Sequence, residues 1–175
     1  MFKLSARFPR NEGWSAGWME TYAYFKDMNT PNFHFWQKWL TWANVMTIGV
    51  GLLVAFAGNS LFFDLHNAGT ERVFFPDSGF NPEIIQLKNW LFGIIGGTIV
   101  GFHTLMVFIS EYAFKRKERW AYRAMWVGML SWFLIDSGIS LYYGAVHNVV
   151  LINLVALVLI GLPLVMTGRA FSRER

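Results

Sequence analysis

The chain has 175 residues, of which 54% are hydrophobic, 18% aromatic and only 15% charged, against roughly 25% charged in a soluble domain. Its formal charge is +4 and it has no cysteine, which excludes disulfides, thiolate metal centres and iron–sulfur clusters. The basic residues flank apolar runs and form no single stripe, which excludes nucleic acid as a partner.

Residues 1–38 are too polar to span a bilayer. In "GWSAGWMETYAYFKDM" the aromatics Trp14, Trp18, Tyr22 and Phe25 recur on one helical face. The segment reads as an amphipathic helix lying in the membrane interface. Packing on the protein's own cytoplasmic end and docking of a partner are its two alternatives. Thr30 as cap with Pro31 at the first helical position begins the next helix.

Residues 39–175 hold four apolar runs, at about 40–58, 91–109, 124–142 and 149–167. Each has about 19 residues, or about 28 Å of helix, close to the hydrocarbon thickness of a bilayer. Trp39, Trp42, Trp90, Trp120, Tyr122, Tyr142 and Tyr143 stand at or near their ends, as an aromatic belt does. The Phe-rich stretch between Asn59 and Asn81, interrupted by Gly and Pro, is expected to lie on the bilayer or cap the bundle. "NPE", Asn81 to Glu83, marks a helix start. The short link "GAVHN" makes spans three and four antiparallel neighbours, and Pro163 is expected to bend span four.

Of the 15 Lys and Arg residues, all but Arg72 and Lys88 lie before span one, between spans two and three, or after span four. The positive-inside rule therefore places both termini in the cytoplasm.

Polar residues within the spans sort by depth at about 1.5 Å per residue. Asp136 and Asn153 fall in an outer layer. His103, Asn44 and Thr47 fall in an inner one. A charge near mid-bilayer costs about 2.5–3.5 kcal/mol by insertion scales, so Asp136 must face the protein interior. On the helical face of Asp136 stand Met129, Trp132, Ser140 and Tyr143. Asp136 is either a structural acceptor for Asn153, Ser140 or a tyrosine, or a carboxylate that handles a proton or ligand. His103 is either a partner of Asn44 or Thr47 or a ligand, and no second histidine lies at its depth. Asp64, His66 and His147 could meet at the outer surface and hold a metal ion. Gly93, Gly97 and Gly101 form a small-residue ridge that serves helix packing inside the bundle or with another subunit. No GxSxG, HExxH, phosphate-binding loop or dinucleotide fingerprint occurs, and no cofactor is required by the sequence.

The basic, aromatic entry to span three, the segment "WFLIDSGISLYYG", the "HN" turn, Asn153 and "LPL" before arginine resemble the small bacterial four-helix membrane proteins grouped as DoxX-like. The resemblance covers the last third of the chain. It implies a four-helix bundle in a bacterial inner membrane and supplies no activity.

The expected fold is an all-α, antiparallel four-transmembrane-helix bundle with an N-terminal interfacial helix. The leading expectation for function is a non-catalytic accessory or assembly subunit of an inner-membrane complex, its partners being lipid and other membrane subunits or further copies of itself. The alternative is a protein that binds a quinone, lipid or metabolite, or handles protons, through an Asp/Asn pocket open to the outside. The pocket residues are Asp136, Asn153, Ser140 and Tyr143, with His103 and Asn44 below.

Overall fold

The apolar runs fold as helices in a computed structural model that describes residues 33–172. The expected interfacial helix and the Thr30–Pro31 start lie outside the described residues, as do Arg173 and Arg175. Helix α1 (Phe33–Ala57) leads through a 3-10 turn (Leu61–Phe63) into α2 (Asp64–Phe74). Helix α3 (Pro82–Phe108) runs on as a π-helical turn (Ile109–Phe114). Helix α4 (Arg119–Tyr142) is followed by the short α5 (Val146–Asn148), a second π-helical turn (Val149–Asn153) and α6 (Leu154–Phe171). Among the described residues there is no strand.

Four of these continuous helical segments are long and apolar enough to cross a membrane: Phe33–Ala57, Pro82–Phe114, Arg119–Tyr142 and Val146–Phe171. Their outward surfaces are apolar. Phe56, Ile135, Val158 and Val165 are all more than half exposed, a surface that lipid covers and water does not. The helical segments overrun the apolar runs most at the start of α3, and also at the start of α1 and through the π-helical turn Ile109–Phe114. Polar side chains there pair with each other: Gln37 donates to Glu111 Oε1 at 3.0 Å and to the Ser110 carbonyl at 3.3 Å.

Helix α1 packs along α3 and α6, and α6 packs along α4. Along the α1–α3 contact and its two ends, Gln37 pairs with Ser110, Asn44 with His103, Gly51 with Gly96, and Asn59 with Asn89. Its closest point is Gly96, where a Cβ would stand 2.5 Å from the Gly51 carbonyl oxygen and 2.6 Å from the Ala55 nitrogen. Small residues permit this approach, which in lipid replaces the missing hydrophobic drive with van der Waals contact. The core beneath it is formed by Leu40, Met106, Met125, Met129, Ile160 and Leu164. Phe33, Phe114, Tyr122 and Phe171 stack at the end nearer the chain termini.

The ridge Gly93, Gly97 and Gly101 does not make the α1–α3 contact, since a Cβ at any of them would meet nothing within 4 Å. The register turns Gly96 toward α1 and leaves the ridge on the outside. The stretch Asn59 to Asn81, expected to lie on the bilayer or cap the bundle, contains α2. Asp64 in its first turn and Arg72 in its last complement the helix dipole. Gly69 sits inside α2 not as a break but because a Cβ there would collide with the His147 ring at 2.6 Å.

Pro163 stands inside α6. Lacking an N–H, it cannot bond the carbonyl four residues earlier, that of Leu159. The Trp39 indole on α1 donates to the Leu159 carbonyl at 3.0 Å. The backbone group released by the proline is thereby satisfied from a neighbouring helix, as a bilayer demands.

Candidate functional site

Asp136 lies on α4, one turn before Ser140. Its Oδ1 atom accepts from Ser140 Oγ at 3.2 Å, Asn148 Nδ2 at 2.7 Å and Asn153 Nδ2 at 2.8 Å. Asn148 Nδ2 also reaches Ser140 Oγ at 2.9 Å, and Asn153 Nδ2 donates to Ser137 Oγ at 2.9 Å. Among the described residues, no hydrogen bond reaches Oδ2. Asn153 is fully buried, and its Oδ1 has no partner among them.

The π-helical turn Val149–Asn153 explains how both asparagines serve one oxygen. In an α-helix at about 100° per residue, positions five apart point about 140° away from each other. Hydrogen bonding from i to i+5 inserts the extra residue that returns them to one side. The same deformation separates this site from ordinary helix packing, because π turns are kept where a side-chain arrangement requires them.

Helix α2 roofs the cluster. Asn148 Oδ1 lies 3.4 Å from His66 Nε2, and His147 Nε2 lies 3.2 Å from Thr70 Oγ1. The two imidazole rings meet edge to face with centroids 5.1 Å apart. The network assigns both tautomers. Asn148 gives its N–H groups to Asp136 and Ser140, so its oxygen accepts and His66 Nε2 donates. Thr70 gives its proton to the His66 carbonyl at 3.0 Å, so His147 Nε2 donates to Thr70. His66 Nδ1 is then a bare lone pair, buried and without a partner among the described residues. Burial holds the His66 imidazole below its ordinary 6.5, with His147 and Lys88 adding to the effect and the Asn148 bond and Asp136 opposing it.

The cluster joins Asp136, Asn153 and Ser140 as one site. Tyr143 is not in it; its ring turns away to Phe74, with centroids 6.2 Å apart. His103 Nδ1 and Asn44 Oδ1 form a separate buried pair at 2.7 Å. Asn44 gives its amide proton to the Leu40 carbonyl, so His103 donates. Thr47 turns instead to the Ala43 carbonyl. His66 and His147 meet but Asp64 does not join them, and among the described residues no group of three or more His, Asp or Glu side chains is arranged to hold a metal ion. Two surface hollows are lined by residues around Gly58 and around Glu71, and Asp136 lines neither.

Sequence reasoning missed Asn148, Ser137 and Thr70. Asn148 carried a signal, a polar residue at the end of a span beside His147, but a 3.6-residue period points it away from Asn153. A second polar network sits at the other end of the protein. There Glu111 Oε1 accepts from Gln37 and from Thr41 Oγ1 at 2.9 Å, and Thr41 and Ser110 hydroxyls meet at 2.8 Å.

Comparisons with protein-family models, curated proteins and solved structures find no match. The likeness to DoxX-like proteins therefore stands on its residues alone.

Proposed function

We propose that the protein is an antiparallel four-helix membrane bundle with both termini in the cytoplasm, and that it takes up a proton or a small hydrogen-bond-donating ligand at Asp136 from the opposite side. The observation that carries this reading is the asymmetry of the carboxyl group. Three donors converge on Oδ1 while Oδ2 has none. A proton or ligand donor can therefore settle on Oδ2 without breaking any bond to Oδ1. A purely structural acid would gain more by sharing its donors between both oxygens. Intramembrane acids are costly and mark functional sites by default.

Infrared difference spectroscopy on acidification tests the reading. The wild-type protein is expected to show a protonated-carboxyl band that is missing from Asp136→Asn. A band unchanged in a folded Asp136→Asn protein sinks it.

A second reading, the accessory subunit, is favoured by the outward Gly93–Gly97–Gly101 face, against which nothing packs closely among the described residues. Native mass spectrometry of the tagged protein, extracted gently from its own membrane, tests that reading. A second polypeptide supports it, and a lone chain counts against it.

A further inference from the structure

We propose that α2 is a cover over the Asp136 site, latched by neutral His66 and His147 and loosened when the outer face is acidified. The contacts holding α2 fall into two groups. One is made by the histidines: His66 donates to Asn148, which itself donates to Asp136, and His147 donates back to Thr70. The other involves no histidine. Asn67 Nδ2 donates to the Gly58 carbonyl at 3.0 Å, and Lys88 Nζ donates to Asn67 Oδ1 at 3.2 Å while lying over the Phe80 and Phe92 rings. The first group is the latch. The second retains α2 when the latch opens.

Protonation acts on the latch in two ways. A second proton on His66 must go to Nδ1, which is buried with no acceptor, and a buried polar group without a partner is destabilising. A proton on each ring sets two cations against each other at 5.1 Å between centroids. The groups facing His66 from the surrounding elements are His147 and Asn148 on α5, Lys88 on α3 and Asp136 on α4. Asp136 favours the charged ring; Lys88 and a charged His147 oppose it.

The direction of the pH effect follows. The seated imidazole of His66 holds its proton less firmly than a released one. Seating is therefore fully favourable above the ordinary 6.5 and is lost as pH falls through that value toward the lower, seated one. This is the range in which histidine switches act. Gly69 supports the latch, because its missing Cβ lets the His147 ring lie on the α2 backbone. What the cover controls rests on Asp136 being the working group; the movement of the cover does not.

Hydrogen exchange read by mass spectrometry tests the proposal, on the full chain in lipid nanodiscs, at about pH 7.5 and about pH 5, with intrinsic rates corrected. In the wild-type protein, amides of 64–74 are expected to lose protection severalfold at the lower pH while those of α4 and α6 do not change. In His66→Gln/His147→Gln the loss is expected to vanish, since Gln can donate the same bonds without titrating. Protection of 64–74 that is independent of pH in the wild-type protein overturns the proposal, even without a variant. So does an equal loss in the double variant. Asp136→Asn separates the two ideas. It removes the carboxyl band on which the proposed function rests, and it leaves the pH response of α2 in place.

Discussion

Asn148 and Asn153, five positions apart in sequence, place their amide nitrogens 2.7 and 2.8 Å from the same oxygen of Asp136. The π-helical turn between them is what makes this convergence possible. One carboxylate thereby ties α4 to the helical segment that follows it, while its second oxygen stays available.

Substitutions at Asp136 are expected to divide by shape. Asp136→Asn keeps an acceptor in place for Asn148, Asn153 and Ser140, and its thermal stability in detergent should stay close to wild type. Asp136→Leu removes the shared acceptor and leaves Asn148 and Asn153 only their bonds to the Ser140 and Ser137 hydroxyls, which costs about 1–3 kcal/mol. A melting curve for each variant checks the order. Equal loss in both would mean that the charge, and not the hydrogen bonds, holds the helices.

Gly96 and Gly97 are neighbours with opposite consequences. Gly96→Ala pushes a methyl group onto the Gly51 carbonyl and the Ala55 backbone, and overpacking of this kind costs about 1–3 kcal/mol. Gly97→Ala meets nothing within 4 Å and should change the stability of the isolated chain by less than about 0.5 kcal/mol. Denaturant titration in micelles reads both. Should the outward ridge seat another chain, Gly97→Leu will also reduce the amount of that chain that co-purifies.

Trp39 and Pro163 are expected to be coupled. Trp39→Phe leaves the Leu159 carbonyl without its donor and costs about 0.5–1.5 kcal/mol. In a Pro163→Ala background the backbone N–H returns to that carbonyl, and the cost of Trp39→Phe should shrink. A double-mutant cycle measures the difference. Additive effects would show that the indole bond contributes nothing.

His103 and Asn44 join α1 to α3 through one buried bond of 2.7 Å. Side-chain bonds between membrane helices contribute about 0.6 kcal/mol on average and up to about 1.7. A cycle of His103→Ala and Asn44→Ala should give a coupling within that range. A value near zero would indicate that each residue finds another partner when the first is lost.

The sequence by itself determined the four apolar helical segments, because hydropathy and length are properties of the chain alone. It also ranked depth. Asp136 with Asn153, and His103 with Asn44, meet in the layers that a constant rise per residue assigns them. Direction around the helix axis was not legible. A single inserted residue in the π turn moved Asn148 into the Asp136 site, and the register of α1 on α3 chose Gly96 over the ridge that the glycine spacing suggested. The same holds for contacts made only by folding: α2 seated on His147, and Trp39 reaching the carbonyl that Pro163 released. Rise is fixed by backbone geometry and is local. Rotation is set by which side chains find partners across helices, and those partners lie 8 to 120 positions away in the chain.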